Sequence, residues 1–449
     1  METAMTSISA SVHHVAHYHT MEERRKSAVR GAIFSEFIDM FDIYLPAVVL
    51  SPMMFYFQPP QLSPGLQTIL SSLVFVTTLV GRPVGATLFG IVADRLGRRT
   101  ASIYSVSGFA FVTFLIALLP SYQAIGVLSY FLLVLLRFAD GIFLGGGYTG
   151  AIPLAFEYSQ KEKRGLVGAL IMVGFPAAYV AITLLSMLMF ALFPLHGIDS
   201  PYAQWGWRIP FVIGAALAGV LALYYIFKVE ESEVWEVETG EKTEKMPLSE
   251  LVQGESGRNL LQVLLMMTGF WLTQNVITIF VPTTLLPNFL KLSAFELTLT
   301  LLVSYSALIL SYVGSGLLSQ KIGRRRFFLF LGPIIATVGA AIMYYLSTSK
   351  QISFPTVVVL VCLMSIIVTA PWGVIITYIN ERFVTDVRAT GFGVAFSLSV
   401  IIPSFYAFYM SWLGYLMPYN TTPAVLLFIG GIIGAIGASL GPETKDVDF

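Results

Sequence analysis

Cysteine is nearly absent from this chain, charge is scarce, and neither sign of charge is in excess. Each shortage removes a class of protein. The 449 residues hold one cysteine, Cys362, inside an apolar run, so no disulfide can close within the chain and the thiol reads as a small core side chain. Charged residues make up 12% against 56% hydrophobic, where an ordinary soluble domain carries about 25% charge. The formal net charge of zero leaves no electrostatic footprint for nucleic acid or a polyanion. No nucleophile has a base near it in sequence and no metal-ligand spacing occurs, which argues against an enzyme and against a metal cofactor. A cleavable leader is missing too: the polar N-terminal stretch lacks the charged-then-apolar pattern, so the first apolar run is expected to act as its own insertion signal. His13, His14, His17 and His19 gather in that stretch without cysteine or acidic partners, and read as a tail rather than a metal site.

What the chain does have is long apolar runs. A hydrocarbon core of about 30 Å needs about 20 apolar residues per helix, and twelve such runs can be cut, near 30–51, 66–91, 100–120, 124–150, 164–193, 208–228, 259–288, 296–318, 325–347, 354–379, 388–413 and 421–440. They divide into an N-terminal tail 1–29, a bundle 30–228, a polar linker 229–258, a second bundle 259–440 and a tail 441–449. The two bundles echo one another. Gly90-Ile91-Val92-Ala93-Asp94-Arg95-Leu96-Gly97-Arg98-Arg99 is matched in frame by Gly316-Leu317-Leu318-Ser319-Gln320-Lys321-Ile322-Gly323-Arg324-Arg325, and Glu157 with Arg164 returns as Glu381 with Arg388 at nearly the same offset. The expected fold is therefore an all-α membrane protein, twelve transmembrane helices in two pseudo-symmetric six-helix bundles, as in transporters that alternate access between halves. Of the 26 lysines and arginines, Arg208, Lys291 and Lys350 fall on one side, Arg82 and Arg137 fall inside helices, and all others lie on the opposite side. That bias puts both termini in the cytoplasm of a multi-pass protein of the cell membrane.

Charges inside a bilayer cost at least about 2.5 kcal/mol each, so they face the bundle interior and pair. Helix 1 carries Glu36, Asp39 and Asp42, helix 2 carries Arg82, and helix 4 carries Arg137 and Asp140. At 1.5 Å per residue Arg82 stands about 18 Å above Asp94, and Asp39 and Asp42 reach similar depth. The second bundle offers only neutral groups at such depth: Gln274, Asn275, Tyr305, Trp372 and Tyr378. Burial disfavours a charged carboxylate while a neighbouring arginine favours it, so an acid beside a solvent-gated arginine can exchange a proton as its surroundings change. Asp39, Asp42, Glu36 and Asp140 are the candidates for proton coupling. Arg82 and Arg137, with their forked donors, are candidates for binding an anionic substrate, with Gln274, Asn275, Tyr305 and Trp372 opposite. The bland alternative is that these acids and arginines only hold helices 1, 2 and 4 together.

The repeated motif lies too near the surface for a central site and reads as a gate. Asp94, Arg95 and Arg98, with Glu157, Arg164, Lys321, Arg324, Glu381 and Arg388, would pair across helix ends when the cytoplasmic side is shut; where Gln320 replaces the acid, the second latch should be weaker. Anchoring by positive charge alone is the competing account of the arginines.

Together these residues resemble the major facilitator superfamily, and within it the metabolite:proton symporters. Glu36-Phe37-Ile38-Asp39 looks like that family's helix 1 motif, and Arg82-Pro83-Val84-Gly85-Ala86 through Asp94-Arg95-Leu96-Gly97-Arg98 is similar to its helix 2 signature. Arg137, Gly141, Gly145-Gly146, Glu157 and Arg164-Gly165 keep its helix 4 spacing; Trp207-Arg208-Ile209-Pro210-Phe211 and Glu230-Glu231-Ser232 resemble its helix 6 entry and exit; Glu381, Phe383, Arg388 and Gly391 match its 10–11 loop. Ile38, Asp42 and Asp140 depart from the pattern, and Asp39-Met40-Phe41-Asp42 also resembles a string in aromatic-acid symporters. The resemblance implies symport of a small metabolite with protons. Two buried arginines favour an organic acid anion, moved by a monomer in the lipid bilayer with no cofactor beyond protons. Rival readings are a proton-coupled exporter, whose helix 5 usually ends in Gly-Pro where this chain has Gly174-Phe175-Pro176, a uniporter, and a non-transporting receptor, which would normally add a large soluble domain.

Overall fold

The computed structural model describes residues 21–448 apart from 60, 63, 233–250 and 350. The histidines of the N-terminal tail and most of the expected linker lie outside the described residues. Twelve long helices follow one another: α1 (Met21–Leu45), α2 (Pro64–Leu96), α3 (Arg98–Ala117), α4 (Val127–Glu157), α5 (Lys161–Leu192), α6 (Tyr202–Lys228), α7 (Gly254–Phe289), α8 (Ala294–Ile322), α9 (Arg324–Thr348), α10 (Phe354–Arg382), α11 (Arg388–Leu413) and α12 (Tyr419–Ser439). No strand occurs among the described residues. Eleven of the helices, α2 to α12, are long and apolar enough to cross a membrane. Helix α1 differs from them because charges at both its ends, Glu22 to Lys26 and Arg30 at one and Glu36, Asp39 and Asp42 at the other, leave it no long apolar stretch.

Two boundaries correct the sequence reading. Helix α1 begins at Met21 rather than near residue 30 and ends at Leu45 rather than 51. Glu22 and Glu23 sit in its first turn, where carboxylates favour the positive end of the helix dipole. Pro46, which has no N–H to give, then opens a wider π-type turn over Pro46–Leu50. Likewise α7 starts at Gly254, inside the expected linker, and its regular part stops at Asn275 before a π-type stretch, Val276–Phe289, that contains Pro282 and Pro287. The two helices are counterparts in the two halves. In both, the regular winding ends within a few residues of the buried polar groups expected to matter, Asp39 and Asp42 in α1 and Gln274 and Asn275 in α7, as π-type segments often do at functional sites.

Small residues set the helix spacing. A Cβ on Gly81 of α2 would lie 2.5 Å from the Phe138 carbonyl of α4, and one on Gly145 of α4 would lie 2.9 Å from the Ala86 nitrogen of α2. The backbones touch there, which is how membrane helices gain packing without a hydrophobic drive. The halves meet through α2 with α11, α4 with α11, and α5 with α8 and α10.

The repeated motif folds identically in both copies. Gly97 has φ 103 and ψ 151, Gly323 φ 104 and ψ 151, a conformation almost reserved for glycine. Each glycine starts the next helix, and a carboxylate packs where its Cβ would be, Glu231 at Gly97 and Glu443 at Gly323.

Candidate functional site

The buried charges of the first half form two separate clusters. In the first, Arg82 Nη2 of α2 lies 3.4 Å from Asp39 Oδ2 of α1, both side chains almost wholly buried. The guanidinium also sits over the Tyr148 ring of α4 at 4.8 Å and faces Phe396 of α11, in the other half, at 6.0 Å. In the second, Arg137 Nη1 of α4 lies 2.8 Å from Asp140 Oδ2 as an ion pair and donates to Asp42 Oδ2 at 3.2 Å, while Thr113 Oγ1 of α3 donates to Asp42 Oδ1 at 2.7 Å. This cluster is internal to the first half, with one cation between two carboxylates. Arg137 was expected as a substrate ligand; its position between Asp42 and Asp140 gives it partners within its own half, and of the two mid-depth arginines Arg82 is the one that faces a ring of the other half.

Glu36, one turn before Asp39, has no arginine bonded to it. Its Oε1 and Asp39 Oδ1 are buried acceptors without hydrogen-bond partners. Across the interface, Asn275 Nδ2 of α7 and Trp372 Nε1 of α10 are buried donors without partners. Trp372 packs edge-on against Trp271 at 4.3 Å and both meet Phe396, so indoles and the Phe396 ring form a wall opposite Arg82. The Tyr148 hydroxyl hydrogen bonds to Ser397 Oγ, tying α4 to α11 beside the same wall.

Tyr305, also expected as a ligand, has a different neighbour. Its ring lies flat on that of Tyr179 in α5, centroids 4.0 Å apart and planes 4° from parallel. Phe175 and Tyr44 complete the cluster, with Tyr44 5.5 Å from Phe175 and 5.3 Å from Tyr179. Tyr179 lies about 8 Å further along α5 than Gly174, which packs against Glu36. The rings therefore join the halves on the side of the acids away from the Gly97 and Gly323 turns.

At the end bearing those turns, several of the expected gate residues come together. Arg388 Nη1 bonds Glu157 Oε1 at 3.0 Å across the halves, and Arg98 reaches the same oxygen at 3.4 Å and the Thr385 carbonyl at 2.8 Å. Asp94 Oδ2 accepts from the Thr390 nitrogen at 3.1 Å and from its hydroxyl at 2.5 Å. Arg164 Nη1 donates to the Val447 carbonyl at 2.6 Å. The second copy repeats the arrangement within its own half, Arg324 lying 3.4 Å from Glu381. Two expectations need correction. Gln320 is not simply a weaker latch, because its Oε1 accepts from the Gly165 nitrogen at 3.1 Å and from Arg324 at 2.7 Å, and so joins α8 to α5 as an amide. The side chains of Arg95 and Lys321 are exposed, at the rim of the cluster rather than inside it.

Sequence reasoning did not assign roles to Thr390, Thr113, Glu443 and Thr444. Glu231 Oε1 accepts from the Arg98 nitrogen at 2.8 Å and Ser232 Oγ donates to Glu157 at 2.5 Å; in the second half Glu443 accepts from the Arg324 nitrogen at 2.6 Å and Thr444 donates to Glu381 at 2.7 Å. An acid followed by a hydroxyl ends each half. That echo, Glu231-Ser232 with Glu443-Thr444, was available in the sequence.

Two six-helix halves, buried ion pairs and a charged closure at one end make up the architecture of a membrane transporter. The family model described as the Major Facilitator Superfamily matches residues 32–407, and the chain belongs to that superfamily. It is a multi-pass membrane transporter and not an enzyme. It is 28% identical over 454 residues to the inner membrane metabolite transport protein YhjE of Escherichia coli (strain K12), covering 98% of this chain and 99% of the relative. It is 27% identical to the proline/betaine transporter of the same strain, over 86% of this chain and 77% of that one. The glycine betaine/proline/ectoine/pipecolic acid transporter OusA of Dickeya dadantii is 27% identical, over 94% and 84%. Among solved structures, the proton:xylose symporter XylE superposes with a TM-score of 0.75 at 16% identity, over 95% of this chain and 99% of that one, a likeness of fold.

Proposed function

We propose that this transporter takes up a small carboxylate-bearing metabolite together with a proton. The observation that carries the reading is the Arg82–Asp39 contact, a buried pair held at 3.4 Å on the face of the first half that meets the second. A proton on Asp39 removes the partner of Arg82. The guanidinium then needs another anion, and a substrate carboxylate can supply it in forked geometry. Once the proton leaves to the other side, Asp39 reclaims Arg82 and the substrate is released. Asn275 and Trp372 supply directional donors from the second half, and Glu36 sets the local charge. For a monoanion moving with one proton the cycle is electroneutral.

The lysine and arginine bias supports placing the end with the Gly97 and Gly323 turns in the cytoplasm of the cell membrane. On that assignment the contacts of Asp94, Arg98, Glu157 and Arg388 close the cytoplasmic side, and opening inward requires breaking them.

A second reading of the substrate rests on a separate observation. Among the buried groups without partners are two acceptors of the first half, Glu36 Oε1 and Asp39 Oδ1, and two donors of the second, Asn275 Nδ2 and Trp372 Nε1. A zwitterion fits both, with its cationic end toward Glu36 and the aromatic wall. The proline and betaine named for two relatives are of that type. Uptake into proteoliposomes under an imposed pH gradient, screened with simple organic acids against amino-acid and betaine zwitterions, decides between them. Saturable uptake of simple organic acids that Arg82→Ala abolishes supports the first reading; uptake of the zwitterions alone supports the second, and uptake only of solutes lacking a carboxylate overturns both.

A further inference from the structure

Outside the transport path, α1 and α6 frame a recess of about 380 Å³ at the end that bears the Gly97 turn. Its lining holds four cations, Arg24, Lys26, Arg30 and Lys228, against two carboxylates, Glu23 and Glu230. Arg24 is paired with Glu230 at 2.6 Å, and Lys26 leans outward to Glu22 at 3.4 Å. Arg30 and Lys228 also line the recess, and among the described residues neither has a carboxylate within salt-bridge distance. Ser27 and Tyr224 line it as well, their hydroxyls donating to the Lys228 and Ser27 carbonyls. The recess thus offers two cations that have no carboxylate partner among the described residues, a charge arrangement suited to a phosphate.

The surroundings identify which kind of phosphate. Phe34 follows Arg30 by four residues and lies on the same face of α1; it is 53% exposed. Phe227, next to Lys228, is 72% exposed, and Leu223 one turn earlier is 53% exposed. On a helix bundle that spans a bilayer, these apolar side chains face acyl chains. A soluble anion would gain nothing from them, whereas a phospholipid fills both parts, headgroup in the basic recess and chain along the rings.

We propose that this recess seats the headgroup of an anionic phospholipid, its phosphate between Arg30 and Lys228 and its acyl chains along Phe34 and Phe227. The site is independent of the transport reading, since it is built entirely within the first half and touches none of the residues assigned to coupling. The test uses the purified full chain in detergent with added phosphatidylglycerol, phosphatidylcholine or soluble glycerol phosphate, read as the thermal-unfolding midpoint. Phosphatidylglycerol should raise the midpoint most, and R30Q/K228Q should lose at least half of that rise while keeping the wild-type midpoint in phosphatidylcholine. R30K/K228R should retain it. An equal rise with phosphatidylcholine, an equal rise with glycerol phosphate, or an undiminished rise in R30Q/K228Q would each overturn the proposal. Should R30Q/K228Q fail to fold, a photoactivatable phosphatidylglycerol on the wild-type protein gives the answer: label within residues 24–34 or 220–228 supports the site, and label only elsewhere rejects it.

Discussion

Asp39 and Arg82 hold the smallest unit of the transport account. Their side chains are 1% and 3% exposed, so a proton arriving at Asp39 changes the balance of a pair that water barely screens. Asp39→Asn should abolish accumulation against a gradient while leaving exchange of substrate across the membrane, since the amide copies the protonated acid. Counterflow in proteoliposomes, compared with pH-driven uptake, separates the two activities; full accumulation in the variant would move the proton site to Glu36 or to the Asp42–Arg137–Asp140 cluster. Another single residue whose role is fixed by geometry is Gly323. With φ 104 and a carboxylate where its Cβ would be, Gly323→Ala should cost on the order of 1–3 kcal/mol. A lowered thermal midpoint would register it, and an unchanged midpoint would count against a tight turn there. The acids and arginines could be named from the sequence because charge in an apolar run is conspicuous. Their pairing could not. Asp42 stands only three residues from Asp39, yet it turns to Arg137 and Thr113 instead of Arg82, and nothing in the spacing distinguishes the two.

Between elements, the halves are joined by two chemically different contacts. At the end with the Gly97 and Gly323 turns they are charged and hydrogen-bonded; on the other side of the acids they are aromatic, Tyr179 against Tyr305. Replacing Asp94 by Asn weakens the charged contact with Thr390, removing about 1–3 kcal/mol from the state in which that end is closed and nothing from the other. The expected result is a shift toward opening at that end with little change in substrate affinity. Cysteine accessibility in the opposite helix ends reads the shift, and unchanged labelling would remove Asp94 from the gate. Tyr305→Ala should act in the reverse sense, raising accessibility from the aromatic side; a large loss of affinity without altered accessibility would restore Tyr305 as a substrate ligand. Apolar runs located α2 to α12 because membrane helices advertise their length. They missed the start of α1, which is polar and helical, and the breaks after Leu45 and Asn275, which depend on proline and local winding rather than on hydropathy. Glu231 was legible as part of the helix 6 exit motif and Glu443 only as its echo, and their targets, the first N–H groups of α3 and α9, lie far away in sequence.

For the whole molecule, duplication explains both the likeness of the halves and their division of labour. The two glycine turns superpose in dihedral angle, and the Arg98–Glu157 and Arg324–Glu381 pairs correspond. Ion pairs at mid-depth occur in the first half alone among the described residues, leaving the second to supply neutral donors and rings. The central claim is that substrate and proton move together through that asymmetric interface. The most direct measurement is the external pH of weakly buffered proteoliposomes when a transported carboxylate is added with no gradient imposed. The expected result is a substrate-dependent alkalinisation outside, matched in amount to uptake and missing in Asp39→Asn. Uptake of the same carboxylate with no accompanying proton movement in the wild-type protein would contradict the account.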